Sequence, residues 1–404
     1  MNLSRNLSGC SLVLLLFCVS PPPLTAAEKP ANPLQPTSFN GPITAAQVEP
    51  HVRFLADPRL EGRGNEQSKR LARDYLIKQY ADCGLKPLFA AGSYLQPIPG
   101  STTADGRATV RGYNVGAWLP GHDPQLRDEF VIISAHYDHL GVRRGKVYAG
   151  ADDNASSMAM VLETARQFTS ATKPPRRSIV FLNFDLEENM LWGSRWFASH
   201  PPWPLEQVKL FITADLLGRS LGDLPLRSVF VIGSELAPDL RGHMQQVGQP
   251  DGLKVHRLGV DLIGTRSDYG PFRDRRIPFL FFSTGEHPDY HTPRDTADRI
   301  DYEQLARISS LVFRISQSVA NADEPPHWTS QTEPDIEEVK SLYEITTKIL
   351  AAEEDGTLQM GGVQKFFVSN IHTKFGSIIE RGDLRSNERP WLIRSAQFLL
   401  LTVF

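Results

Sequence analysis

The sequence predicts an α/β fold with a mostly parallel sheet, and three observations carry that prediction. Four segments, Phe130 to Ala135, Ser178 to Phe184, Leu210 to Ala214 and Ile277 to Phe282, are continuous apolar runs. They lack the alternation of a half-exposed strand, so each reads as a strand covered on both faces. Helical segments are interleaved with them: Ser157 to Phe168 lies between the first two, and Arg195 to Ser199 follows the second. Strands alternating with helices build parallel sheets through right-handed crossovers. Finally, each run leads into residues that bind metals or move protons: His136, then Glu187 and Glu188, then Asp215, then His291 in the loop beyond the fourth. Ligands of open α/β sheets bind beyond the carboxyl ends of the strands, so these residues converge on one edge.

From the start of the chain, Arg5 precedes an apolar stretch, Ser11 to Ser20, and the small residues Thr25-Ala26-Ala27 follow. That is the pattern of a signal peptide over residues 1–27, which predicts a secreted or periplasmic protein. The apolar core is short of the ~20 residues a membrane span needs, so no stable span is expected after cleavage. Leu7-Ser8-Gly9-Cys10 resembles a lipoprotein box but stands before the apolar stretch instead of after it. Of three cysteines, Cys10 and Cys18 leave with the signal and Cys83 remains alone, so the core and any bound metal must supply the stability. After a Pro-rich leader, Pro30 to Pro42, helical spacing runs through Ala45 to Leu55 and Gln67 to Gly84. The second segment sets Leu71, Tyr75, Leu76 and Tyr80 on one face, has Cys83 at its end and is stopped by Gly84.

A polar, Pro-containing stretch, Asn321 to Pro334, marks a boundary. It divides a main domain, 28–325, from a C-terminal extension, 326–404, of unknown role. In the extension Ile336, Val339, Leu342, Tyr343, Ile349 and Leu350 form the stripe of a helix packed on its own protein, and the apolar segment Trp391 to Phe404 is too short to span a membrane. With 404 residues, 41% hydrophobic and 22% charged, the chain is globular material. A net charge of −3 gives no electrostatic case for nucleic acid or an anionic membrane as partner.

The chemistry-bearing residues are two imidazoles, three carboxylates able to hold metal and one spare carboxylate. Gly150-Ala151-Asp152-Asp153-Asn154 supplies a further acidic pair between the first strand and its helix. The wording of these segments and their order resemble the secreted di-zinc aminopeptidases, zinc exopeptidases that include bacterial leucine aminopeptidase, aminopeptidase Y and glutamate carboxypeptidase. The resemblance covers roughly Val48 to Val319. It rests on His136-Tyr137-Asp138, the Asp152-Asp153-Asn154 run, Glu187-Glu188 with Gly193-Ser194, Asp215, and Tyr290-His291-Thr292-Pro293 with Asp295-Thr296. Glu61-Gly62-Arg63, Gly84-Leu85-Lys86-Pro87 and Tyr113-Asn114-Val115 add to it.

The resemblance implies a three-layer α/β/α zinc-exopeptidase domain with a central mixed, mostly parallel sheet, and two Zn2+ ions as cofactors. By position, His136 and Asp215 would hold one ion, Glu188 and His291 the other, and Asp153 would bridge them. Zinc accepts these nitrogen and oxygen donors, and paired hydrolytic metals stand ~3.5–4 Å apart, a span that one carboxylate bridges. The family's bridging Asp enters a cis peptide bond, which favours Asp153, followed by Asn154, over Asp152. Asp138 would accept the second ring N–H of His136, and Glu187 would act as general base. Tyr290 would either stabilise an oxyanion or pack, and Ser267 to Phe272 resembles a segment near the substrate cleft. His139 has no counterpart in the pattern. The implied substrates are peptide or protein N-termini.

Rival readings remain. Gly218-Arg219-Ser220-Leu221-Gly222 fits G-x-S-x-G, but that motif needs a helix after the serine, and a strand, Ser228 to Ile232, is expected instead. A carboxypeptidase, a relative of the glutaminyl cyclases and a non-catalytic binding domain share the implied fold. No H-E-x-x-H is present for a helix-borne zinc site.

Overall fold

A strand that is apolar on both faces has to be covered on both, and the sheet is built that way. The computed structural model describes residues 38–103 and 105–402; the expected signal segment, with Cys10 and Cys18, lies outside them. Nine strands form one mixed sheet: β1 (Lys86–Pro87), β2 (Leu95–Thr102), β3 (Ala108–Leu119), β4 (Phe130–His136), β5 (Ser178–Phe184), β6 (Val208–Ala214), β7 (Ser228–Ile232), β8 (Lys254–Leu258) and β9 (Phe279–Ser283). Their spatial order is β8-β7-β9-β6-β4-β5-β3-β1, with β2 paired to β3. The centre, β5-β4-β6-β9, is parallel throughout, and antiparallel pairing begins at β3 on one side and β7 on the other. The register sets the strand ends level: His136 pairs with Phe184, Ser134 with Thr213, and Ala214 with Phe282.

Alternate residues of the central strands feed two apolar layers. Val131, Ile133, Phe181, Leu210 and Ile212 face α1 (Ala45–Leu55), α2 (Glu66–Asp82), α3 (Ser157–Ser170), α5 (Asp239–Val247) and α7 (Tyr302–Asn321). Ile132, Val180, Leu182, Phe184 and Phe211 face α4 (Trp192–Ser199), the short α6 (Gly270–Arg273) and three C-terminal helices, α8 (Ile336–Glu354), α9 (Gly362–Arg381) and α10 (Arg389–Thr402). Phe211 of β6 stacks on Phe272 of α6 with ring centroids 3.6 Å apart. The extension thus shares its core with the sheet: Val339, Leu342, Ile345 and Ile349 of α8 are buried there. No helix among the described residues is long and apolar enough to cross a membrane.

The α2 segment shows where periodicity alone misleads. Asn65 caps it by accepting from the Ser68 N–H, and Gly84 follows its end at φ 71°. The buried face is Ala72, Leu76 and Tyr80, whereas Leu71, expected to be on it, is 44% exposed. Strands β2 and β3 are absent from the sequence reading altogether; Pro97, Pro99 and the polar start of β3 mask them.

Candidate metal centre

His136 is the last residue of β4 and Asp215 the first after β6, so neighbouring parallel strands deliver both to the same edge. The ring Nε2 of His136 lies 3.4 Å from Asp215 Oδ2 and 3.4 Å from Asp153 Oδ1. On the other side, His291 Nε2 lies 3.0 Å from Asp153 Oδ2 and 3.4 Å from Glu188 Oε1. The Asp153 carboxylate therefore turns one oxygen toward each imidazole. Glu187 stands beside the first group, its Oε2 3.9 Å from His136 Nε2.

The backbone that presents Asp153 is an irregular turn, residues 151–156, ahead of α3, and the Asp153–Asn154 peptide is cis. Gly150 begins it at φ 62°; a Cβ there would stand 2.1 Å from the Asp153 carbonyl oxygen and 2.6 Å from the His139 ring. Asp295 fixes the turn by accepting the N–H groups of Asp152 and Asp153 at 2.8 and 3.1 Å. Asp152 points away from the imidazoles of His136 and His291. Its Oδ1 accepts the Gly218 N–H at 2.6 Å and its Oδ2 lies 3.3 Å from His287. Arg63, wholly buried, donates to the carbonyls of Leu55, Tyr137, Ala149, Gly150 and Asp153, tying the loops around the site together.

Asp138 sits differently from the expectation. The His136 Nδ1 hydrogen bond goes to the backbone carbonyl of Asp138 at 3.1 Å, and the Asp138 carboxylate is 3.8 Å away. That carboxylate is engaged by the N–H groups of Glu187 and Glu188, at 3.0 and 3.3 Å. Donation to a carbonyl still fixes the tautomer that leaves Nε2 free. Asp138 thus orients the histidine with its main chain and the two glutamates with its side chain.

Electrostatics follow from burying so many acids together. Burial pushes the Glu187 carboxyl well above the usual carboxylate range. Burial, with Asp185 nearby, pushes Asp138 up to about 8. For His291, burial opposes protonation, but the Asp153 and Glu188 carboxylates outweigh it and push the ring up to about 10. His139 and His291 hold Glu188 below its ordinary value against the effect of burial. Four buried donor or acceptor atoms here, His136 Nε2, His139 Nδ1, Glu188 Oε1 and Asp215 Oδ1, have no hydrogen-bond partner. An unmet buried polar atom costs ~1–3 kcal/mol. Divalent cations would satisfy these atoms, and the imidazole and carboxylate donors are those zinc accepts.

His139, unassigned from sequence, is buried against this cluster, its Nδ1 2.9 Å from Glu188 Oε1. The signal that could have found it is its place three residues beyond His136, in the same loop. Tyr290 stacks on His291 with centroids 3.9 Å apart, and Ser267 and Asp268 are wholly buried. Ser220 donates to the Leu224 carbonyl at 2.6 Å, and a three-residue turn, not a helix, follows it. The geometry that the serine reading requires is therefore missing.

Known proteins resemble this chain in family and in fold. A family model described as Peptidase family M28 matches residues 114–316. Endoplasmic reticulum metallopeptidase 1 of Mus musculus is 24% identical over 298 residues, 71% of this chain and 32% of that protein. Aminopeptidase YwaD of Bacillus subtilis (strain 168) is 27% identical over 210 residues, 49% of this chain and 43% of that protein. The chain thus matches under half the length of either relative. Glutaminyl-peptide cyclotransferases are also among the relatives. The solved structure of the Legionella pneumophila LapA aminopeptidase shares the fold, with a TM-score of 0.53 at 19% identity over 70% of this chain and 73% of that one.

Proposed function

The chain belongs to peptidase family M28, and on that premise we propose that it is an exported two-zinc aminopeptidase that releases N-terminal residues from peptides. The observation that supports this reading most directly is the Asp153 carboxylate set between His136 and His291 with one oxygen toward each. His136, Asp215 and Asp153 would hold one ion; Asp153, Glu188 and His291 would hold the other. When bound, two zinc ions supply an acidified water and an electrophile for the scissile carbonyl.

The protein's own part is to orient and to move a proton. His136 is locked by its bond to the Asp138 carbonyl, and Glu187 is held beside it by the amide that Asp138 grips. Burial makes Glu187 an unusually basic carboxylate, suited to take a proton from the attacking water and give it to the leaving amine. Catalysis is assigned to residues 28–325, and export to the segment 1–27.

A panel of amino-acid 4-nitroanilides and N-blocked peptides, with and without chelator and added zinc, tests the proposal. Zinc-dependent cleavage restricted to free-amine substrates is expected. Equal cleavage of blocked peptides would overturn the choice of aminopeptidase. Release of ammonia from peptides with N-terminal glutamine, without peptide-bond cleavage, would identify a cyclase instead.

A further inference from the structure

The geometry points to His139 as a sixth metal ligand, acting through Nδ1 in the half of the centre formed by Asp153, Glu188 and His291. This rests on the two-metal reading above. The His139 side chain is wholly buried, and neither ring nitrogen has a hydrogen-bond partner. Its Nδ1 lies 2.9 Å from Glu188 Oε1 and 3.6 Å from Asp153 Oδ2. His291 Nε2 lies 3.4 and 3.0 Å from the same two oxygens. Two imidazole nitrogens thus flank one pair of carboxylate oxygens. A tetrahedral ion with bonds of ~2.0–2.2 Å sets its ligand atoms about 3.3–3.6 Å apart. The four contacts, at 2.9, 3.0, 3.4 and 3.6 Å, lie at that spacing or short of it. His139, Asp153 and Glu188 bring one donor atom each within 4.8 Å of one another.

The two rings meet at 62° with centroids 5.8 Å apart, so their nitrogens approach from different directions. His139 is also hemmed in. A Cβ on Gly150 would stand 2.6 Å from its ring, and its backbone N–H donates to the Arg63 carbonyl at 3.3 Å. The 2.9 Å approach to Glu188 is an ion-pair contact without the alignment of a hydrogen bond. The consequence is an asymmetric centre. Four protein ligands would close the His139 half, while His136, Asp153 and Asp215 would supply three to the half beside Glu187. Structural zinc sites are closed by four protein ligands and catalytic ones keep a position open, so the His136 half, beside Glu187, would be the one left to bind a water.

The test uses the full chain stripped of metal and titrated with Co2+ and Zn2+, read by visible absorption and by competition with a chromophoric chelator. Wild-type protein is expected to take two ions. His139→Ala and His139→Gln are each expected to lose at least ~100-fold in one binding step, since loss of an outer partner alone costs ~10–100-fold. Both are expected to change that ion's cobalt spectrum and leave the other step unaltered. Glutamine keeps a donor toward Glu188, so wild-type affinity and spectrum in His139→Gln would overturn the inference. Proton NMR of the wild-type protein loaded with cobalt supplies a readout that needs no variant. Hyperfine-shifted imidazole N–H signals from three histidines are expected, and signals from two would overturn it. Uptake of fewer than two ions by the wild type would instead remove the two-metal reading on which the inference stands.

Discussion

The two halves of the centre are built by different means. His136 and Asp215 end or follow strands in the parallel core, and the sheet's own hydrogen bonds fix them; the Asp215 N–H, for example, donates to the Phe282 carbonyl at 3.0 Å. Glu188 and His291 stand in loops. His291 has φ 54° and a side chain 37% exposed, and Leu186, Met190 and Leu191 around the glutamates also have positive φ. That half is held by carboxylates gripping backbone amides: Asp138 on Glu187 and Glu188, and Asp295 on the Asp153 turn. The comparison teaches that one half inherits its geometry from the fold, and the other depends on a few named acids.

The largest effect should come from the residue common to both halves. Asp153→Ala is expected to lose both ions by elemental analysis and to bring turnover to background. Retention of one full equivalent would show that the halves are independent sites. Glu187→Gln comes next. It should keep both ions and lose ~10²–10⁴-fold in kcat, the usual worth of a general base. Unchanged turnover would remove Glu187 from its role.

The same division explains what could be read from the sequence. A buried parallel strand is a run of apolar residues, and the polar residue that ends it is conspicuous, so His136, Glu187, Glu188 and Asp215 could be placed on one edge. His291 could be placed there only as part of the loop beyond the fourth strand, and the choice of Asp153 over Asp152 came through resemblance, because a turn with no periodicity carries it. The part played by Asp138 was half legible: its neighbourhood with His136 follows from spacing, but only folding shows that its carboxylate reaches the amides after β5. His139 was opaque, since its burial depends on Gly150 closing over it. Strands β2 and β3 were missed for a related reason, being edge-side antiparallel strands with prolines and exposed polar residues.

Asp138→Asn sharpens the comparison further. The His136 bond uses the Asp138 main chain, so the first half should be spared. The glutamate loop loses one of the two oxygens that accept the Glu187 and Glu188 amides, and affinity at the Glu188–His291 half is expected to fall ~10–100-fold, as for other outer partners of metal ligands. Chelator competition on the variant checks this. Equal weakening of both halves would return the Asp138 side chain to the role the sequence suggested.

The effect most specific to the loop half is a modest one, ~10-fold for each pH unit. To serve as a ligand His291 must be neutral, yet Asp153 and Glu188 push its ring up to about 10 in the absence of cations. Below that value the ring carries a proton that an incoming ion must displace. Glu188, held low by His139 and His291, carries none. Binding at this half should therefore release at least the His291 proton throughout the neutral range. Its apparent affinity should rise ~10-fold per pH unit, or roughly 100-fold between pH 6 and pH 8. The sign is fixed, since raising pH removes the competing proton and can only favour the ion. Zinc competition titrations at several pH values in the His136→Ala variant, which leaves only the loop half able to bind, measure the slope directly. A flat profile would mean that His291 is already neutral, and that the carboxylates around it are balanced by something other than its charge.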